Sequence, residues 1–510
     1  MNFFYLVTVL FTIFTLSCKL NLNNPSDPRS KDFFLTNLLK AFLLSDPCLN
    51  FQTWKKTYGT GVYKTTGSDL IILSNGDYLV SGITREYIVP GSPTGVTNNF
   101  AGSPGINLNT FLMRVSRTNG EILWVDYLGE AGIEVSYRPK LRKYSNGDIS
   151  AAFIVKGAEQ PGTINAKSGV GTTSALFVGR IREDGTRVWF TYLDSASIGD
   201  FVVSAMDTSN RLHVFIENLG GSPAHTSFVD GPAISNSSLG GSSDSDTIHL
   251  IVNENGAMNF QRFFTSAGGD FIFGAEANAN GLFVTGTSSQ GANGTTHPNA
   301  TYQMPFVMKL NETDGTTIWY QYFGTTMELD YGASRFFLKD DMIYMIGSGR
   351  YTYGNPVEPI IGADGTNKHF ILTKLNTSGS VLWNSFLGNA AENVMDTTES
   401  EPILLSNSQL LIRMQTTAIN GQFSSLPDSI TGSGSGPYTL ADVFVNSQQG
   451  TFNRFHYSSN LSLPAMEQTD KIREVCSGKL TRLNYTRFTT TPPIEATQLS
   501  IENVSVPSIL

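Results

Sequence analysis

The 510-residue chain is short of charge, cysteine and histidine, and each shortage removes a class of protein. Asp, Glu, Lys and Arg make up 15% of it, while hydrophobic residues reach 40%. A disordered chain needs low hydrophobicity and high charge, so that class is excluded. A formal net charge of −9 supplies no basic field, and no nucleic-acid partner is expected. No apolar run approaches the roughly 20 residues of a spanning helix, which excludes a multi-span helical membrane protein. Three cysteines are too few for a scaffold built on disulfides. The six histidines form no H-x-x-H or H-E-x-x-H pair, so no metal site is expected. No Gly-x-Ser-x-Gly elbow sits in a strand–turn–helix context. The glycines of residues 432–436 lack the following helix that a phosphate cradle requires. Asp244-Ser245-Asp246 lacks the glycine and glutamate of a calcium-binding EF-hand loop. Catalytic residues, metals and cofactors are therefore expected to be absent. A channel enzyme would have to pair carboxylates such as Glu276 and Asp396.

The N-terminus sets an expected compartment. Residues 3–16 read FFYLVTVLFTIFTL, without a charge, the length of a signal-peptide core. Ser17-Cys18 closes this stretch. A small residue before a cysteine at that point resembles the lipobox of bacterial lipoproteins. The resemblance implies removal of residues 1–17, a lipid on Cys18, and an anchor in the bacterial cell envelope, at the outer membrane or cell surface. The alternative is a plain signal peptide with Cys18 incidental. Residues 18–50 are then a tether followed by a short helix over residues 31–44. Ser30 caps that helix and Asp46-Pro47 stops it.

What the chain does contain is a repeat. All five tryptophans share one local context: Trp54, Trp124, Trp189, Trp319 and Trp383. Phe260 and Phe452 read as two further copies. The seven anchors are 70, 65, 71, 59, 64 and 69 residues apart, and near-constant spacing is the mark of a repeat architecture. Gly120, Gly185, Gly256, Gly315 and Gly379 each precede an anchor by four residues. Four of them follow Asn or Asp, a pairing that favours tight hairpin turns. A second turn, such as Ser74-Asn75-Gly76-Asp77, follows about twenty residues after the anchor. Each unit thus holds four short strands. Seven such units predict an all-β fold, a seven-bladed β-propeller over residues 51–488, with residues 489–510 as an irregular tail.

Trp54 has no strand before it, so the chain enters on what is elsewhere a unit's last strand. The N-terminal strand is expected to close the ring with C-terminal strands, which leaves no open seam. Cys48 and Cys476 then fall in the same blade. An exported location permits a disulfide between them; two buried thiols are the alternative.

The pattern as a whole is an apolar run and Lys/Arg-Leu, then Gly-x-x-x-Trp-x-x-Tyr/Phe-Leu/Phe-Gly, then an Asn-Gly turn. It resembles the SBBP repeat of bacterial β-propeller proteins, best in residues 306–324 and 370–388. The resemblance implies a propeller, usually exported, and carries no catalytic residue across.

Function is expected on loops. The second-to-third-strand connections are long: residues 85–109, 158–174, 219–246, 288–304, 349–368 and 417–440. Loops of this length are usually functional or disordered. They are expected to form a crown over the channel mouth that binds a protein or a glycan. Arg138, Lys140 and Arg142 alternate on a predicted inner strand and are candidates to meet an anionic ligand in the channel; pairing with other blades is the plainer reading. The other functional readings are a channel-centred glycan-active enzyme and a structural part of a cell-envelope assembly.

Overall fold

The structure is a computed structural model. It describes residues 51–88, 100, 102–131, 139–155, 163–165, 175–194, 198–218, 246–264, 269–298, 303–324, 335–359, 369–387, 394–395, 403–405, 408–416, 439–457, 466–476, 479–487 and 496–505. The chain divides into two compact units, Met1–Phe51 and Gln52–Leu510. The expected signal peptide, tether and helix, with Cys18 and Cys48, lie outside the described residues, as does Arg138.

The second unit is a ring of seven antiparallel sheets, a seven-bladed β-propeller. Blade 1 runs from its inner strand outward through Thr65–Ile72, Tyr78–Thr84, Leu108–Val115 and Ile122–Ala131. Blade 2 follows with Lys140–Lys143, Ile149–Val155, Ala175–Ile181 and Arg187–Asp194. Blade 3 comprises Ile198–Met206, Leu212–Asn218, Asp246–Val252 and Met258–Phe264. Blade 4 comprises Asp270–Asn278, Gly281–Ser288, Met304–Leu310 and Thr317–Tyr322. Blade 5 comprises Arg335–Lys339, Met342–Gly349, His369–Asn376 and Val381–Leu387. Blade 6 pairs Val394–Met395 and Ile403–Leu404 with Gln409–Thr416, then Thr439–Asn446 and Phe452–Tyr457. First strands of neighbouring blades touch one another, so they line the centre.

Blade 7 closes the ring as expected, but its third strand comes from the predicted irregular tail. It contains Met466–Cys476, Lys479–Arg487, Thr497–Ser505 and, outermost, Trp54–Tyr58. The predicted irregular tail therefore carries a core strand, with Leu499 and Ile501 fully buried. Pro492-Pro493 reads as an end because proline cannot serve a ladder. It sits instead in the connection between the blade's second and third strands. Without Thr497–Ser505, the N-terminal strand would have no partner: Trp54 pairs with Asn503 and Tyr58 with Leu499.

The repeat is explained at the seams. The indole Nε1–H of Trp54 donates to Arg117 O of the next blade at 2.9 Å. Trp189 does the same to Glu254 O at 2.8 Å, Trp319 to Thr377 O at 3.2 Å and Trp383 to Ser447 O at 3.3 Å. The turn that offers the carbonyl also presents a positive-φ glycine to the ring. A Cβ on Gly120 would lie 2.7 Å from Trp54, and one on Gly450 2.8 Å from Trp383. The basic residue on the adjacent, preceding strand reaches the turns of the next blade in the same way: Arg114 Nη1 meets Glu183 O at 3.1 Å, Arg180 Nη1 meets Glu254 O at 3.1 Å, and Lys374 Nζ meets Ser447 O at 2.9 Å. Glycine, tryptophan and Lys/Arg are one staple between blades, repeated.

Phe452 is not the seventh anchor. In blade 1 Ile122 pairs with Val115 and Trp124 with Arg114, with Leu123 bulged between them. In blade 6 Phe452 pairs with Val445 and Arg454 with Phe444. Phe452 thus occupies the Ile122 position and Arg454 the tryptophan position, four residues after Gly450. Glycine spacing, rather than aromatic character, marks the anchor position in this blade.

Candidate binding surface

The described parts of the long connections do not form a crown over the channel mouth. They fold outward along the outermost strand of their own blade. In blade 2, Thr163–Asn165 adds as a parallel strand to Arg187–Asp194. In blade 5, Glu358 bridges to Ser385, Val357 N donates to Asn384 O at 2.8 Å, and Asn384 Nδ2 donates to Tyr353 O at 2.8 Å. In blade 1, Ile88 N donates to the Tyr127 hydroxyl at 2.7 Å and Phe100 packs edge-on to that ring. In blade 4, Ala292 N donates to the Tyr322 hydroxyl at 2.9 Å. The reason is the free edge: an outermost strand exposes unpaired N–H and C=O groups unless something covers it. Burial pushes the Tyr127 hydroxyl up to about 12 despite the opposing hydrogen bond to Ile88. The connections of blades 3 and 6, residues 219–245 and 417–438, lie outside the described residues.

Between blades 3 and 4 the seam is built differently, and a groove of about 530 Å³ opens there. Phe260 stands where five other blades have tryptophan, so no indole N–H reaches the next turn. Two residues on, Thr191 and Ser385 donate to the next glycine's carbonyl in blades 2 and 5. Blade 3 has Arg262 at that position. The Gly315 carbonyl is met instead by Asn293 Nδ2 at 2.9 Å, from blade 4's own long connection. Asn293 also donates to Thr317 Oγ1 at 2.9 Å. Its Oδ1 is buried without a donor, and the residue is only 8% exposed. Arg262 makes one long contact, Nη1 to Asp314 O at 3.4 Å, and its Nε is buried without an acceptor. The wall is the outer strand of blade 4, where Tyr320 is 40% and Ile318 56% exposed. The residue following the tryptophan is buried in blades 1, 2 and 5 as Val125, Phe190 and Asn384; in blade 4 it is the exposed Tyr320. Thr295, Thr296, Thr316 and Thr317 bring hydroxyls to the same space. Asp314 is held below the usual carboxylate range, first by the hydroxyl and N–H of Thr316 and also by Arg262.

The basic cluster lies at the centre of the ring. Arg142 crosses to three other blades. Its Nε donates to Ser204 O at 2.7 Å and its Nη2 to Ala275 O at 3.4 Å, and it stands 3.8 Å from Asp69 and 3.6 Å from Glu276. Asp69 is fully buried and also meets Lys471 at 3.2 Å and Arg473 at 3.8 Å. Lys140 is half-buried on the same inner strand. Charges from blades 1, 2, 4 and 7 thus brace the inner strands against one another. Among the described residues no three His, Cys, Asp or Glu side chains are grouped to hold a metal ion. Cys476 is half-buried at the end of its strand, opposite Lys479.

No protein-family model matches the chain, and no curated protein does. Solved structures do align with it over most of its length. The WD40 domain of Pan2 from Neurospora crassa is 8% identical, with 88% of this chain and 92% of that one covered at a TM-score of 0.42. A protein of unknown function from Dyadobacter fermentans is 8% identical, covering 89% and 99%, at 0.39. The NanB sialidase of Streptococcus pneumoniae is 9% identical, covering 90% and 71%, at 0.40. The propeller assignment rests on the sheet order itself, and these likenesses carry no function to this chain.

Sequence reasoning did not find the groove. Part of its signal was present as a departure from the repeat: Phe260 stands where five other copies have tryptophan.

Proposed function

We propose that the chain is an SBBP-type propeller lipoprotein of the bacterial cell envelope, exported and anchored through Cys18, that acts as a binding module for a protein or glycan. The observation that carries the binding role is the groove between blades 3 and 4. There a polar wall, an exposed aromatic ring and two unpartnered buried polar atoms meet in a space of ligand size. The ring of blades is the support for such a site, and loops on rigid scaffolds are where binding concentrates. Charged residues at the centre are engaged with one another, which favours the periphery over the channel. The test is a binding screen of the mature full chain in detergent against envelope proteins and glycans. A ligand of either class whose binding responds to substitutions on the outer edges supports the reading. An empty screen, or a ligand that contacts only the tight-turn face, refutes it. Metabolic labelling with a fatty acid should mark the wild type and not a Cys18→Ala variant. Non-reducing electrophoresis should show a Cys48–Cys476 cross-link lost on reduction.

A further inference from the structure

We infer that the groove between blades 3 and 4 binds an acidic glycan, with a sugar carboxylate on Arg262 and a sugar face on Tyr320. This rests on the reading of the protein as a binding module and names the ligand class of that same site. The argument begins with the donor and acceptor inventory. Sugars carry many hydroxyls and one apolar C–H face. The groove offers threonine hydroxyls on both sides, Thr295 and Thr296 from the connection and Thr316 and Thr317 from the strand. Asn293 Oδ1, at a residue more than nine-tenths buried, is an acceptor with no donor, and leaving such a group unpaired is costly. A ligand hydroxyl supplies the missing donor. The exposed ring of Tyr320 supplies an apolar platform with a polar tip.

Arg262 selects the acidic class. Among the described residues its guanidinium has no ion-pair partner, and its Nε is buried without an acceptor. A planar guanidinium with free donors matches a carboxylate in bidentate fashion, with greater strength and geometric selectivity than a neutral acceptor. Uronate sugars present that group beside hydroxyls. A protein ligand would instead be expected to bury a larger apolar patch than this narrow threonine-rich groove provides.

The experiment titrates the mature full chain with a short oligogalacturonate and with a neutral cello-oligosaccharide of equal length, read by calorimetry. The acidic oligomer is expected to bind about tenfold or more tightly than the neutral one, as a charge-assisted contact implies. Arg262→Gln should abolish that preference, and Tyr320→Ala should weaken binding of the acidic oligomer about tenfold. Unchanged thermal midpoints show that both variants fold. Equal binding of the two oligomers, or a Tyr320→Ala variant that binds as the wild type does, overturns the inference. If the acidic oligomer does not bind but another ligand from the screen does, this inference fails and the binding-module reading stands. If nothing binds, both fail.

Discussion

Trp124 and Trp189 occupy the same place in adjacent blades and differ in one bond, which makes a controlled measurement possible. Both are 6% exposed and both pack in apolar clusters. Trp189 donates its indole N–H to Glu254 O at 2.8 Å. The Trp124 Nε1 is buried without an acceptor, while Arg114 Nη1 reaches Glu183 O at 3.1 Å. Trp→Phe removes a similar volume at either site, so the transfer and cavity costs nearly cancel in the difference. At Trp189 the substitution removes a hydrogen bond with a net worth of about 1 kcal/mol. At Trp124 it removes an unpaired buried donor, whose presence costs about 1–3 kcal/mol. Trp189→Phe should therefore destabilise the protein by about 2–4 kcal/mol more than Trp124→Phe does. The assay is equilibrium unfolding in urea, compared at the transition midpoint with the slope checked for constancy. Equal losses at the two sites would refute the staple as a hydrogen-bonded device and reduce it to packing. A larger loss at Trp124 would refute the assignment of its indole as unpaired.

Three further outcomes follow from the same seams. Gly450→Ala meets both a φ of +76° and the Trp383 ring 2.8 Å from the new Cβ, whereas Gly294→Ala meets a φ of +77° and open space. The second should cost about 1–2 kcal/mol from the left-handed conformation alone and the first clearly more, measured by the same unfolding curves. Arg187→Met deprives the 1%-exposed Asp126 of a bidentate partner at 2.6 and 3.1 Å; loss of one member of a buried pair should cost about 3–5 kcal/mol, and a variant within 1 kcal/mol of wild type would contradict that. Acid should weaken the blade 3–4 seam in two stages. Burial, then the charges of His213 and Arg262, hold His249 well below the ordinary histidine range. Folded protein thus resists a proton that the unfolded chain accepts, so stability present above roughly pH 6.5 falls as the pH drops below it, by at most about 1.4 kcal/mol per pH unit. Burial raises the Asp207 carboxyl, but hydrogen bonds from His213 and Arg211 outweigh it and bring it to about 2; its contribution is present above roughly pH 4 and lost between there and pH 2. A His249→Gln variant should lose the first slope and keep the second, and a wild type equally stable at pH 5 and pH 7.5 would refute the assignment.

Most of the propeller was readable in the chain because its repeat is a local pattern that must recur. The glycine at positive φ, the tryptophan four residues later and the basic residue of the preceding strand recur together since each blade offers its glycine to the tryptophan of the blade before and its own tryptophan and basic residue to the turn of the blade after. Gly120 against Trp54 and Gly450 against Trp383 show why neither residue type can drift. The copy at blade 6 was misread at Phe452 because aromatic character was weighed above glycine spacing. The strand Thr497–Ser505 was missed because its local signal is weak and two prolines precede it; its existence is dictated by an N-terminal strand some 440 residues away that needs a partner.

The number of blades, the four strands in each and the closure of the ring by the two ends of the chain are all written in the local pattern. Those follow from periodicity and from the cost of an open sheet edge, which are properties of local pattern and count. Where the long connections go and where the groove lies depend on the packing of the folded ring. A connection's direction depends on which free edge it must cover. The groove exists because Phe260, Arg262, Asn293 and Tyr320, spread over sixty residues, meet at one seam where the staple is missing. No window along the chain contains that meeting; packing of one blade against the next creates it.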